Sequence, residues 1–272
     1  MAARDRRLIV NADDYNLTAG VGRGICKAHE HGIVTSTSLI MTQPLSQRDL
    51  RWLKSATGLS VGLHLCLDVG KLLSVVARQA LGRVTGAARR ELLASPGLDR
   101  DVVSAELEAQ FESFVGGLGR QPTHLDTHHD IHSNPVVLDV LVELARRFGI
   151  PVRSLDDGTR RKIRAAGLPT PDATVGGQGC GAFWTVERLK EALAKLEPGI
   201  TEFVCHGGLG IPDHDLPTHG IQREEELKSF LCPGLASILA ESKVLLIGYK
   251  DLPCTRGGAG RPAESGRSGR PR

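Results

Sequence analysis

The chain has 272 residues, 40% hydrophobic and 24% charged, with 32 Gly, 14 Pro and 6 Cys. That composition excludes collagenous, low-complexity and coiled-coil proteins, and the length is enough to bury a full core without disulfide staples. The formal charge of +3 hints at nucleic acid only until the charges are located: residues 255–272 hold five Arg against one Glu, a balance of +4 that leaves −1 for the body and no footprint for DNA or RNA.

Short apolar or β-branched runs alternate with stretches of helical period, the pattern of βα units. The opening MAARDRR lacks the apolar core of a secretion signal and leads straight into a strand expected over 7–11, followed by a helix over 21–31. A second strand at 36–41, a helix at 47–55 and a third strand at 60–67 come next. Residues 70–100, rich in Gly, Arg, Ala and Leu, read as a mobile lid over a site. A helix at 101–116 and a strand at 124–126 lead to the best-marked helix, 135–148. Asn134 supplies its cap, Pro135 its first turn, and Gly149 stands just past its end. A strand at 151–155, a helix at 186–196, a strand at 202–206, one helix at 222–241 and a strand at 244–248 complete the series.

About seven such repeats predict an α/β fold, a distorted, TIM-barrel-like (β/α) barrel forming one domain over residues 1–254, closed or nearly so. The tail TRGGAGRPAESGRSGRPR has no large apolar side chain and is expected to be disordered. Cysteines 26, 66, 180, 205, 232 and 254 are scattered without a CxxC pair, against zinc-finger and disulfide frameworks. No apolar run approaches the roughly 18 residues needed to span a bilayer. The expectation is a soluble protein of a reducing compartment, the cytoplasm with the nucleus as an open alternative, with no membrane or nucleic-acid partner.

Three strand ends finish in metal-ligand chemistry. LIVNADDY runs from apolar residues into Asn11, Asp13 and Asp14; VGLHLCL sets His64 in an apolar strand; HLDTHHDIH holds His124, His128, His129 and His132 with Asp126 and Asp130. Two carboxylates where a buried strand emerges are costly to desolvate unless a cation or donors meet them. An Asp-Asp pair alone is also a common helix cap, and a lone strand His a common core residue. Their joint position at the C-terminal ends of barrel strands, where such folds assemble their sites, favours one shared centre. Two imidazoles and one carboxylate leave open positions on a divalent ion, the layout of a catalytic site. One Asp would bind the ion and the other act as base, their side chains diverging on an extended strand. His206, before the glycine pair of EFVCHGG, is placed to protonate a leaving amine. His128 and His132 would share a helical face if a turn of helix starts there.

Together NADDY at 11–15, VTSTSLI at 34–40, VGLHL at 61–65, PTHLDTHHDIH at 122–132, CHGG at 205–208, the REEEL run from Arg223 and the closing LLIGYKDL resemble the YdjC-like carbohydrate deacetylases, from Leu8 to Leu252. The resemblance implies a distorted βα barrel that binds a divalent metal and removes the N-acetyl group from short N-acetylglucosamine-containing carbohydrates, as the family's chitooligosaccharide deacetylases do. Carried over by position, Asp13 is the general base, His206 the general acid, and Asp14, His64 and His128 the metal ligands. Magnesium is the ion the resemblance implies, although a His₂Asp set also suits Zn, Mn, Ni or Co. Two positions depart from the family pattern: Asn16 stands where Gly usually follows the Asp pair, and Gly207 where Pro usually follows Cys-His. Neither removes a ligand.

Two other readings stay open, another metal-dependent barrel hydrolase and a non-catalytic metal-binding scaffold. Barrel hydrolases of other kinds commonly open with His-x-His where this chain has Asp-Asp. Dinucleotide binding through Gly20, Gly22 and Gly24 is disfavoured, because the third glycine of the fingerprint is misplaced and two carboxylates precede the helix. Those glycines are better read as close packing of the first helix. With Trp52 and Trp184 the only indoles, a long stacking groove for polymeric sugar is not expected, and the partner is a small carbohydrate. A homodimer is an open alternative to a monomer.

Overall fold

The computed structural model describes residues 5–177, 183–210 and 220–252. The basic tail and positions 211–215 of LGIPDHD lie outside them. Seven parallel strands form one sheet: β1 (Arg6–Tyr15), β2 (Ser36–Leu39), β3 (Ser60–Leu65), β4 (Leu125–Thr127), β5 (Ala173–Gly176), β6 (Gly199–Cys205) and β7 (Val244–Ile247). The order is β4-β3-β2-β1-β6-β5. β7 pairs with the first half of β1, from Arg6 to Ile9, and β2 takes over from Asn11 onward. A bridge between Leu125 and Val152 extends the sheet beyond β4. Across the next gap the Thr174 hydroxyl donates to the Ser154 carbonyl at 2.8 Å. The sheet thus curls into a distorted barrel whose closure between residues 152–154 and β5 rests, among the described residues, on a side-chain bond rather than a ladder.

Strands covered on both faces must be apolar throughout, and β1, β3 and β6 are buried along almost their whole length. The helices around them are α1 (Ala19–His31), α2 (Gln47–Ser55), α3 (Val75–Leu81), α4 (Gly86–Ala94), α5 (Arg100–Leu118), α6 (Pro135–Phe148), α7 (Asp157–Ala165), α8 (Val186–Ala194), α9 (Gly220–Phe230) and α10 (Leu235–Glu241). No helix among the described residues is long and apolar enough to cross a membrane. α6 begins and ends where its caps predict: the Asn134 side chain accepts from the Val136 amide, and Gly149 takes a left-handed φ of 68°.

The structure differs from the sequence expectations at several elements. The expectation for residues 70–100 is a lid without regular structure of its own. They fold as α3 and α4, and the Glu106 carboxylate of α5 accepts from the amides of Leu73 (2.9 Å) and Ser74 (2.8 Å). The Asn134 amide donates to the carbonyls of Leu93 and Ser95, both at 2.9 Å, which fastens the end of α4. The strand expected at 151–155 is only the bridge at Val152. The single helix expected at 222–241 is two, α9 and α10, because Pro233 has no N–H to donate and Gly234 follows it. α7 and β5 were not expected.

α1 packs against the segment that carries His206. A Cβ placed on Gly24 would lie 2.6 Å from the Gly208 Cα, closer than any side chain allows, so this glycine sets how near the helix approaches.

Candidate functional site

The chemistry-bearing residues meet at the C-terminal ends of the strands, lining a cavity of about 460 Å³. Asp13 and Asp14 both face it, although successive residues of a flat strand point to opposite sides. The divergence expected from an extended strand is corrected by a bulge: the pairing with β2 slips between Ala12 and Tyr15, and Asp14 has a φ of 69°. Asn16 follows at a φ of 77°, and its amide donates to the carbonyls of Ile40 (3.0 Å) and Gln43 (3.1 Å). Asn is among the few residues other than Gly that tolerate this conformation, so the departure at this position leaves the turn intact.

The two aspartates have different partners. Asp13 is held by both arms of Arg153, Nη1 to Oδ2 and Nη2 to Oδ1, each at 2.7 Å, and Asn11 donates to Oδ1 at 2.7 Å. His206 Nε2 lies 3.9 Å from Oδ2. Asp14 takes the Arg223 guanidinium on Oδ2 at 2.6 Å, while its Oδ1, buried, has no hydrogen-bond partner. His64 Nε2 lies 3.3 Å and His128 Nε2 3.7 Å from that orphaned oxygen.

Each histidine is fixed from behind by a carboxylate. His64 Nδ1 donates to Asp126 at 2.8 Å and His128 Nδ1 to Asp68 at 2.8 Å, which turns both Nε2 atoms toward Asp14. This is the carboxylate–histidine arrangement of metal centres, and the separations from Asp14 Oδ1, 3.3 Å to His64 and 3.7 Å to His128, lie close to the about 3.0 to 3.6 Å between ligand atoms about 2.1 Å from a shared cation at angles between 90° and 120°. Among the described residues, two groupings have all their ligand atoms within 4.8 Å of one another, Cys66 with Asp68 and His128, and Asp13 with His64 and Asp126. In both, the carboxylates already accept from a histidine or from Arg153. Asp14 Oδ1 is the open acceptor between the two imidazoles, which makes Asp14, His64 and His128 candidates to hold a divalent ion.

The electrostatics agree. Burial disfavours charge on His64, yet Asp126 and Asp13 hold its pKa well above the usual imidazole range. Burial likewise opposes protonation of His128, but hydrogen bonding to Asp68 and the charge of Asp14 raise it to about 10. Burial pushes the Asp14 carboxyl up, and Arg223 with His64 and His128 more than reverses this, so it sits well below the usual carboxylate range. The field of this pocket therefore stabilises positive charge on both imidazoles, beside Asp14.

His206 follows the end of β6 with its side chain 30% exposed. Its amide donates to the Glu226 carboxylate at 2.6 Å, and the other oxygen of Glu226 accepts from the Trp184 amide at 2.9 Å. One acid of α9 thus fixes two loops. His132 does not join His128 on a helical face: the segment His128–Ser133 is interrupted by left-handed residues, and His132 Nδ1 pairs with the Thr127 hydroxyl at 2.5 Å.

Sequence reasoning missed Arg153, Glu202, Arg223, Asp68 and Glu226. Arg153, almost fully buried, binds Asp13, Asp126 at 3.0 Å and Glu202 at 2.8 Å, and Tyr249 donates to Glu202 at 2.6 Å. A charge within an apolar strand run, as in PVRSL and TEFVC, is the signal that singled out His64, and it marks Arg153 and Glu202 equally.

Comparison with known proteins adds a lineage to this geometry. The family described as YdjC-like protein matches residues 7–241. A carbohydrate deacetylase of Geobacillus stearothermophilus is 34% identical over 249 residues, covering 91% of this chain and 98% of the relative. A chitooligosaccharide deacetylase of Serratia marcescens is 31% identical over 257 residues, covering 91% of this chain and all of the relative (100%). Among solved structures, a crystal structure from Enterococcus faecalis, named for a proposed role in cellobiose-phosphate cleavage, superposes with a TM-score of 0.75 at 27% identity over 90% of this chain and 98% of that one. A fold, a site and a family match that extend over the same residues lead to one conclusion: the chain belongs to the YdjC-like protein family.

Proposed function

We propose that the protein is a divalent-metal-dependent deacetylase that hydrolyses the acetamide of short N-acetylglucosamine-containing carbohydrates and releases acetate. The observation that carries this reading is the convergence of His64 Nε2 and His128 Nε2 on the orphaned Oδ1 of Asp14, in the cavity that also holds Asp13 and His206. The relatives' names supply the substrate class, carbohydrate for one and chitooligosaccharide for another. A divalent cation held by Asp14, His64 and His128 supplies Lewis-acid polarisation of an amide carbonyl and of water. Magnesium is the first candidate by family resemblance; Zn, Mn, Ni and Co suit the same donors.

The chain's own residues divide the proton transfers. Asp13, oriented by Arg153 and Asn11, takes a proton from the attacking water through Oδ2. His206 gives a proton to the amine nitrogen as the carbon–nitrogen bond breaks, leaving acetate and the free amino sugar. Their 3.9 Å separation across Oδ2 puts acceptor and donor beside one reacting group. The cavity's 460 Å³ suits a short saccharide, and neither Trp lines it: Trp52 stacks on Tyr15 and Trp184 is buried against Phe203.

The test is acetate release from N-acetylglucosamine mono- and oligosaccharides by protein stripped with chelator and reloaded with one ion at a time. Acetate that appears only after reloading supports the reading and names the ion. A protein that binds an ion tightly and releases no acetate from any of these sugars overturns it.

A further inference from the structure

Asp130 differs from the other carboxylates of the cavity. Asp13 is clamped by Arg153, Asp14 by Arg223, and Glu226 by two backbone amides. Asp130 lines the same cavity, and among the described residues its carboxylate accepts no hydrogen bond and forms no ion pair. Its backbone is held in place. His129 and Asp130 are consecutive non-glycine residues at a φ of 52°, a conformation that persists only where the surroundings over-determine it. Asp68 accepts from Nδ1 of both His128 (2.8 Å) and His129 (2.5 Å), and the His132 amide donates to the Thr127 hydroxyl at 3.2 Å. These pins on either side present Asp130 to the cavity in one position.

A carboxylate kept in a partly desolvated cavity that already holds Asp13 and Asp14 is costly unless donors meet it. Among the described residues none donates to it, which leaves its oxygens open to the hydroxyls of a substrate in the cavity. Adjacent hydroxyls of a pyranose ring offer two O–H groups that the two oxygens of one carboxylate accept together. We infer that Asp130 is a specificity-determining residue, which binds ring hydroxyls of the amino sugar and thereby holds its acetamide between Asp13 and His206. The inference rests on the deacetylase reading above and adds to it the residue that recognises the sugar.

The experiment compares the metal-loaded wild type with Asp130→Asn and Asp130→Gly. Asn keeps the size and tolerates the left-handed backbone, and Gly relaxes that backbone while removing the side chain. The expected result for Asp130→Gly is a KM raised about 10- to 100-fold, the loss of hydrogen bonds to a charged group, with bound metal unchanged and kcat lowered as well, because the acetamide is held less well between Asp13 and His206. Asp130→Asn should fall between. Calorimetric affinity for the free amino sugar, which needs no turnover, should drop in parallel. Monodeoxy sugars complete the test: at least one analogue should bind the wild type as weakly as the intact sugar binds Asp130→Gly, and Asp130→Gly should not distinguish the two. Unchanged KM in both variants, or an equal loss on intact and deoxy sugars, overturns the inference and leaves the deacetylase reading standing. A wild type that neither binds the sugars nor releases acetate overturns that reading, and this inference with it.

Discussion

Asp13 and Asp14 are chemically identical neighbours, and their surroundings give them different tasks. Asp13 has its orientation fixed by Arg153 and Asn11, so Asp13→Asn should retain metal while kcat falls about 10²- to 10⁴-fold, the usual range for a lost general base. His64→Ala and His128→Ala should lose bound metal and acetate release together, which metal analysis of the purified variants checks. An Asp13→Asn variant of normal kcat would return the base role to another residue. Arg153 belongs to stability as much as to the site, because it is ion-paired with three buried acids, Asp13, Asp126 and Glu202. Arg153→Met fills similar space without charge and should cost about 3–5 kcal/mol in urea unfolding, the penalty of uncompensated buried charge. The ligand candidates were legible because a His or Asp in an apolar run is conspicuous. Glu226 was not, because it lies in an acidic helix where such residues are ordinary, and Asp68, directly after the apolar VGLHLCL run, carried the same signal as His64 but was passed over. Only the fold shows that their oxygens point at the His206 amide and at His128.

Elements announced themselves in proportion to how much of their stability is local. α6 carries its cap, its N-terminal proline, an apolar stripe and its terminal glycine, and the expected bounds coincide with the observed ones. α7 buries only Thr159 and Ile163 of its nine residues, so no apolar period marks it, and its start depends on the mutual capping of Asp156 and Thr159. β5 is an edge strand of three half-covered residues and the exposed Val175, in a glycine-rich run whose one ladder partner among the described residues is β6. The break between α9 and α10 was written in Pro233 and Gly234, but the apolar period on either side masked it. The reading of the first helix's glycines as packing glycines holds at Gly24, where the helix and the segment that carries His206 touch through backbone. Gly24→Ala would set a methyl 2.6 Å from the Gly208 Cα and 2.8 Å from its carbonyl carbon, with no flexible side chain to yield. The expected cost is about 1–3 kcal/mol of overpacking, measured by thermal unfolding, together with a lower kcat, because relief requires the His206 segment to move.

At the scale of the whole molecule, the polar interior under the cavity makes stability depend on pH. His124 and His132 are fully buried and held neutral: burial, the dominant cause in each, lowers His124 to about 3 and His132 to about 4. His124 hydrogen-bonds to Ser38 and stacks on Tyr249, and His132 bonds to Thr127, so neither has room for a second charge. In the unfolded chain both titrate near 6.5. Below that pH the unfolded state binds protons that the folded state refuses, so stability is complete above about 6.5 and is lost as the pH falls toward the folded values. His64 and His128 are raised in the ion-free site and act with the opposite sign, adding stability below their unfolded value, so the total curve mixes both effects. A difference measurement separates them. In the stability of wild type minus that of His132→Asn, the contributions of His64, His128 and His124 are common to both proteins and cancel. That difference should shrink by about 1.4 kcal/mol between pH 7.5 and 5.5, one full unit of titration below 6.5. Urea unfolding of the two proteins at both pH values gives the number directly. A difference that stays constant would mean that His132 accepts a proton within the folded barrel, and that the space around Thr127 is wetter than its complete burial implies.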